Sequence, residues 1–208
     1  MSQEQKRQQM KNKSILLLLL LTPLLVMLAA TITYKVGYVP ETRKNNGVLL
    51  QPPAEIMSLP LTMKDGQVFD YVADNKDYGR WHIVHFGDAE CAEKACKESL
   101  WLSRQAHVAL SHRAQHVQRY YVSVGGTVSN TLSAFFTKEH PRLKWLSTES
   151  TQYREFMSQY ANTGYDAKGK HQFALVDPNG WLMMYYPENA EGSHLIQDLK
   201  YLLKKRGK

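Results

Sequence analysis

Two cysteines, Cys91 and Cys96, are the residues of this chain whose type and spacing best suit chemistry. They are the only cysteines among 208 residues, and four residues separate them. A pair of thiols can exchange with a disulfide, close into its own disulfide or bind a soft metal ion, and the thiolate is the reactive form in each case. The pair is therefore the candidate functional site.

The residues around the cysteines predict a strand, a turn and the start of a helix. Residues 81–86 form a short apolar run before Gly87, and a polar loop follows. From residue 92 to 111 apolar side chains recur at spacings of four and three, which predicts a helix with Cys96 on its buried stripe and Cys91 before its first turn. Unpaired N–H groups and the helix dipole stabilise a thiolate there.

The composition limits the class of protein. A hydrophobic fraction of 43% in 208 residues supports one ordinary domain with accessory segments. Part of the net charge of +7 lies in the first thirteen residues, and the remainder has no dense basic patch or RNA-binding signature. The sequence therefore predicts no nucleic-acid partner.

An apolar segment near the N-terminus predicts a membrane anchor. Residues 14–33 carry no charge, and a helix of this length can cross a hydrocarbon core of about 30 Å. Lys and Arg are denser before this segment than just after it, so the positive-inside rule predicts a cytosolic N-terminus and a periplasmic domain. A cleaved signal peptide is the alternative, but the long apolar run favours an uncleaved anchor in the inner membrane.

The order of predicted elements indicates an α/β fold. The chain reads as hairpin, strand, helix, strand, helix, short strand, helix, hairpin and helix. A strand–helix–strand unit followed by an antiparallel hairpin and a last helix is the plan of the thioredoxin-like fold. We therefore expect a glutaredoxin-type core, preceded by a hairpin at residues 61–69.

Four segments follow from these patterns. Residues 1–13 are predicted to form a cytosolic basic tail, 14–33 the transmembrane anchor, 34–60 an extended tether and 61–208 the thioredoxin-like domain. Four prolines between residues 40 and 60 suit an extended tether. In an oxidising periplasm the cysteine pair is expected to rest as a disulfide unless a reductase or metal intervenes. A structural staple is the alternative role, but so short a loop constrains little of the unfolded chain.

Several motifs resemble the Sco/SenC family, thioredoxin-like copper proteins that assist assembly of the dinuclear copper centre of cytochrome c oxidase. Phe86-Gly87, three residues and Cys91 are similar to the family's Phe-Gly-x-x-x-Cys motif. Residues 175–180 resemble its late Leu-Ile-Asp-Pro-x-Gly hairpin. Asn46-Gly47 and the prolines that follow also resemble a divergent branch, the small membrane-anchored, oxidase-associated proteins of proteobacteria.

The resemblance implies a copper site and a partner. It implies Cys91, Cys96 and His171 as ligands, and two thiolates with an imidazole suit cuprous copper. The implied partner is the oxidase subunit that carries the dinuclear copper centre, and the implied function is assembly through copper delivery or thiol handling. The family spaces its cysteines by three residues and follows each with proline, whereas this chain has four residues between them and neither proline.

Two other functions remain open, so the sequence does not decide whether the protein is an enzyme. In a thiol-disulfide reductase, an exposed Cys91 would attack and Cys96 would resolve the mixed disulfide, although Glu90 and Glu93 oppose a low thiolate pKa. In an assembly scaffold, the cysteines would form a resting disulfide without chemistry. Serine-nucleophile, phosphate-loop, zinc and dinucleotide motifs are absent from the sequence.

The other histidines do not form a convincing metal site. His82 and His85 are three positions apart on one predicted strand, so they point to opposite faces and are expected to be structural. His107, His112 and His116 are expected to lie on solvated surface.

Overall fold

The computed structural model describes residues 3–36, 45–75, 79–160, 173–187 and 190–205. The chain divides into two compact units, Met1–Arg43 and Lys44–Lys208. Helix α1 (Gln3–Val36) accounts for the described part of the first unit. Its segment Ile15–Val36 is long and apolar enough to cross a membrane, with its side chains exposed. The predicted anchor at residues 14–33 lies within α1.

The second unit is a mixed sheet covered by helices. Its strands are β1 (Val48–Glu55), β2 (Trp81–Gly87), β3 (Val117–Val124), β4 (Leu143–Thr148), β5 (Phe173–Val176) and β6 (Trp181–Tyr186). Its helices are α2 (Tyr71–Asn75), α3 (Lys94–Ala109), α4 (Asn130–Glu139), α5 (Ser150–Ser158) and α6 (Gly192–Lys205). Short 3₁₀ turns follow β1 and α3.

The strand order is β1-β6-β5-β2-β3-β4. Strands β2, β3 and β4 run parallel, whereas β5, β6 and β1 pair antiparallel, so the sheet changes direction next to β2. Parallel neighbours need crossover connections, which α3 and α4 supply. This arrangement confirms the predicted thioredoxin-like α/β fold.

The predicted N-terminal hairpin also forms. Thr62 pairs with Val68, and Gly66 has a φ of +82° at the turn between them. Left-handed backbone is favourable for glycine because it lacks a Cβ. Thr62 pairs with Ser147 as well, which attaches the hairpin to β4.

The segment 34–60 does not behave only as an extended tether. Within it, Val48–Glu55 forms β1 and pairs with β6, while residues 37–44 lie outside the described residues. The register shifts between Leu49 and Ala54, where Pro52 and Pro53 lie. Proline lacks the N–H that a ladder needs, and an edge strand tolerates this loss. The prolines thus fit a strand at the sheet edge as well as a tether.

A buried carboxylate attaches the start of this unit to its last helix. Asp198 on α6 is 3% exposed and accepts hydrogen bonds from the backbone nitrogens of Asn46 and Gly47, both at 2.9 Å. The Tyr186 hydroxyl donates to the same carboxylate at 2.7 Å. A Cβ at Gly47 would lie 2.9 Å from the Tyr186 ring and from Met184 Sδ, so only glycine fits beside Asp198 without a shift.

Candidate functional site

The cysteine pair lies where the first parallel strand passes into the first long helix. Strand β2 ends at Gly87, Glu93 is the N-cap of α3, and the helix begins at Lys94. Cys96 is thus in the first turn of α3, and Cys91 lies in the loop before it, as the sequence indicates. The two residues form a disulfide, and their Cα atoms are 5.6 Å apart.

Asp88 organises the loop that carries Cys91. Its Oδ1 accepts hydrogen bonds from the backbone nitrogens of Glu90 at 2.9 Å and Cys91 at 2.6 Å. Its carbonyl oxygen accepts one from the Tyr121 hydroxyl at 2.6 Å. Cys91 itself has a φ of +45°, in the left-handed region that non-glycine residues seldom adopt. Asp88 therefore holds the loop through both its side chain and its backbone carbonyl.

Both sulfur-bearing residues are buried in the disulfide state. Cys91 is 1% exposed and Cys96 is 5% exposed. They belong to an apolar cluster with Leu132 and Phe136 of α4 and Tyr121 of β3. The prediction of an exposed Cys91 is therefore wrong for this state, because residues of α4 pack in the same cluster as Cys91. The local sequence does not show which distant helix lies over a residue.

Tyr121 places a polar hydroxyl near the disulfide in this cluster. Its hydroxyl oxygen lies 3.9 Å from Cys96 Sγ, and the residue is fully buried. Burial, and secondarily the charge of Asp88, raise the pKa of Tyr121 above its usual value, so the hydroxyl remains a hydrogen-bond donor. Tyr121 is not among the site residues predicted from the sequence. The available signal is its position on β3: Tyr121 pairs with His85 on the parallel strand β2, and both side chains face α3.

Replacing Gly87 with alanine tests how tightly the site is built. A Cβ at residue 87 would lie 2.8 Å from Cζ of the buried Tyr121 ring. We expect a loss of about 1–3 kcal/mol in the free energy of unfolding, measured by urea denaturation. Gly126→Ala is the control, because nothing lies within 4 Å of a Cβ at that position. Equal stability of the two variants would contradict this packing.

The two histidines of β2 lie on opposite sides of the sheet, as the sequence indicates. His82 packs between Tyr71 and Tyr120, with ring centroids 4.4 and 5.0 Å away. His85 faces α3, where its Nε2 lies 2.8 Å from Ser103 Oγ and its Nδ1 lies 3.2 Å from Ser99 Oγ. Because the two rings lie on opposite sides of the sheet, they do not form a shared metal site with the disulfide.

A buried arginine under α3 was not anticipated. Arg119 is 2% exposed, and it donates from Nε to Ser103 Oγ at 3.1 Å and from Nη2 to the Leu100 carbonyl at 2.8 Å. Burial lowers its pKa to about 10, so the side chain still carries charge at neutral pH. Its sequence signal is its alternation with Val117 and Tyr121, which places a charge on an inward-facing position of the strand.

The predicted third copper ligand, His171, lies outside the described residues. Within the described ranges, no group of three histidine, cysteine or acidic side chains converges as a metal site. His107 is also not on solvated surface as predicted: it is 7% exposed, and its Nε2 lies 3.0 Å from the carbonyl oxygens of Ala114 and Val117.

A family comparison identifies the domain that carries this site. The family model described as "Transmembrane-like, thioredoxin-like, C-terminal domain" matches residues 81–205, which is more than half of the chain. The protein belongs to this family. The family match begins at β2 and ends at the last residue of α6, so it includes the disulfide and the helices around it. No curated protein sequence matches the chain significantly.

Solved structures with the same fold include three Sco proteins. Copper-bound yeast Sco1 is 17% identical with a TM-score of 0.52, covering 78% of this chain and 94% of its own. Apo Sco1 from Thermus thermophilus is 18% identical with a TM-score of 0.53, covering 78% and 99%. BsSco from Bacillus, described as a cytochrome c oxidase assembly protein with a disulfide switch, is 17% identical with a TM-score of 0.52, covering 79% and 99%. At these identities the similarity confirms the Sco-like fold.

Proposed function

We propose that this protein is a membrane-anchored assembly factor for cytochrome c oxidase, which delivers copper to the oxidase copper centre or handles its thiols. The observation that carries the proposal is the Cys91–Cys96 pair, joined across the first turn of α3 in a Sco-like fold. The proposed arrangement is a single-pass protein of the inner membrane, with the N-terminus in the cytosol and the domain in the periplasm. The proposed partner is the oxidase subunit that carries the dinuclear copper centre.

Copper would be the cargo of the reduced site. A disulfide has no thiolate to offer, so two thiols of a partner must first reduce the Cys91–Cys96 bond by two electrons and become a disulfide themselves. The two thiolates then suit cuprous copper, which prefers soft sulfur ligands. The fit of the described residues to copper rests on these two sulfurs, and His171 is proposed as the third ligand. The apolar side chains of Leu132 and Phe136 keep water away from the sulfurs, which favours a low-coordinate cuprous ion over a hydrated one.

Copper titration of the full-length protein in detergent tests this function. The disulfide is reduced, the reductant is removed, and cuprous ion is added in competition with a coloured chelator. We expect one copper per chain for the native protein, a loss of at least about tenfold in affinity for Cys91→Ser and Cys96→Ser, and a smaller loss for His171→Ala. His112→Ala removes an exposed histidine and is the control. Uptake that survives the loss of both cysteines would reject copper delivery through this site.

Thiol-disulfide exchange is the second candidate, because the disulfide is already present at the helix start. The reduced protein is mixed with a peptide that carries the disulfide form of the oxidase copper-binding cysteines. Transfer of the disulfide to Cys91 and Cys96 without copper uptake would favour the exchanger.

The near-complete burial of both cysteines favours the third candidate, the scaffold. A disulfide that resists thiol reductants until the domain unfolds would support that role.

A further inference from the structure

A groove lies between helices α3 and α4, and we call it the α3–α4 groove. It encloses a volume of about 470 Å³, which is within the usual range of binding pockets. Helix α3 and helix α4 both contribute long side chains to its walls. Those that matter for binding are Lys94, Lys97, Trp101 and Arg104 of α3, and Phe135 and Lys138 of α4.

Trp101 presents a large apolar surface to solvent at this groove. The residue is 59% exposed, and Val108, two turns further along the same helix, is 64% exposed. Residues 94, 97, 101, 104 and 108 are spaced alternately by three and four, so they form one stripe along α3. Tryptophan is enriched among the residues that dominate the energy of protein interfaces. Burial of Trp101 against a partner is therefore favourable.

Phe135 connects the groove with the apolar cluster that contains the cysteines. It is partly buried and packs against the cluster of Cys91, Cys96 and Phe136. Its ring centroid is 6.2 Å from that of Phe136. An apolar side chain seated on Phe135 would therefore lie one layer of side chains away from the disulfide-bonded residues.

Positive charge predominates in the α3–α4 groove. Four lysine and arginine side chains line it, against two carboxylates, Glu98 and Glu139. Each carboxylate is already in an ion pair, at 3.2 Å for Lys94–Glu98, 3.8 Å for Arg104–Glu139 and 3.7 Å for Lys138–Glu139. All of these side chains are at least 40% exposed. Exposed ion pairs are weak, so the cations remain available to carboxylates of a partner.

Two further residues decide the charge that a partner meets. Lys97 is exposed and makes no ion pair with any residue in the described part of the chain. Burial lowers the pKa of His140 to about 4, so this residue of the groove is neutral at pH 7. Four cations and two carboxylates then leave a net charge of +2. An acidic segment complements such a groove, whereas a basic segment is repelled.

We propose that the α3–α4 groove is the docking site for an acidic segment of the partner subunit, with an apolar side chain of that segment packed against Trp101 and Phe135. The assignment rests on the proposed function in that the partner is the oxidase subunit that carries the dinuclear copper centre. An apolar centre with a charged rim is the usual anatomy of a protein interface. The rim speeds association, and the buried anchor supplies most of the affinity.

Binding of the partner subunit to the full-length protein in lipid nanodiscs tests the docking site. The probe is the copper-free soluble domain of the oxidase subunit, and its association and dissociation rates are measured at low and high salt. We expect Trp101→Ala to weaken binding at least about tenfold. Lys97→Glu should slow association at least about tenfold and reduce its dependence on salt. Both residues are exposed, and a glutamate suits the first turn of a helix, so both variants should fold.

The same residue types elsewhere in the domain supply the controls. Trp181→Ala removes a 40% exposed tryptophan from β6, and Lys64→Glu reverses the charge of an exposed lysine in the hairpin turn. We expect both to keep the native affinity. Equal affinities of Trp101→Ala and Trp181→Ala, or no binding of the subunit by the native protein, would overturn the docking site.

A membrane surface is the other chemistry that a tryptophan among lysines suits. Brominated lipids in the nanodisc quench only tryptophans that enter the bilayer, so quenching is compared between the native protein and Trp101→Phe. A loss of quenching in Trp101→Phe assigns the groove to the membrane and overturns the docking site, whereas equal quenching agrees with it. Copper titration uses no subunit, and Trp101→Ala should still take up one copper per chain. Failure of docking and failure of copper delivery are therefore distinguishable.

Discussion

Asp198→Ala is expected to lower the free energy of unfolding by about 4 kcal/mol. The substitution removes the acceptor of the buried Gly47 N–H and of the Tyr186 hydroxyl. Each buried donor left without a partner costs about 1–3 kcal/mol. Burial, the largest cause, raises the pKa of Tyr186 above its usual value and persists in the variant, so its hydroxyl cannot relieve the loss by ionising. Urea denaturation of the full-length protein in detergent, followed by tryptophan fluorescence, measures the change.

Two variants distinguish the loss of the hydrogen bonds to Asp198 from the loss of any acidic residue. Asp198→Asn keeps one carbonyl acceptor and the side-chain shape, so we expect a smaller loss of about 1–2 kcal/mol. Asp65→Ala removes an exposed carboxylate from the hairpin turn and should change stability by less than about 0.5 kcal/mol. Amide exchange should rise in β1, because Gly47 immediately precedes it. A denaturation midpoint for Asp198→Ala equal to that of Asp65→Ala would contradict a stabilising role for the Asp198 hydrogen bonds.

Lowering the pH from 7 to 5 is expected to destabilise the domain by several kcal/mol, because its buried histidines are held in the neutral form. Burial lowers the pKa of His82 from 6.5 to about 3. Burial, aided by the Arg119 charge, lowers that of His140 to about 4 and holds that of His85 well below its usual value. The unfolded chain takes up protons below pH 6.5 and the folded chain does not, so this stability is complete above pH 6.5 and is lost as the pH falls towards the folded pKa values.

His82 supplies the sharpest test of this acid sensitivity. Its share of the loss between pH 7 and pH 5 is about 2 kcal/mol. His82→Phe retains a ring between Tyr71 and Tyr120 but cannot titrate, so the difference between urea denaturation at the two pH values should shrink by that amount. His112→Phe replaces an exposed histidine and should retain the full difference. An undiminished difference in His82→Phe would show that His82 is not the group responsible.

The order of the elements could be predicted from the sequence because each depends on local chemistry. Strand β3 (Val117–Val124) is one of the strands in that predicted order, since β-branched and aromatic residues favour a strand and the glycines after it end the pairing. The apolar segment within α1 is visible from composition alone. The place of the cysteines, one before α3 and one in its first turn, follows from the helical spacing of the residues after them. The family resemblance then supplied the Sco-like fold.

What the sequence could not provide is the set of contacts between distant segments. Asp198 meets Asn46 across 152 positions, and Tyr121 meets Cys96 across 25, and no local pattern encodes either distance. The same reason explains the burial of Cys91 under α4, the charge of Arg119 beneath α3, and the recruitment of Val48–Glu55 to the sheet edge. Local propensity determined which residues form strands and helices, whereas packing of those elements decided which side chains surround the sulfurs, because burial and hydrogen-bond partners exist only after the layers have assembled.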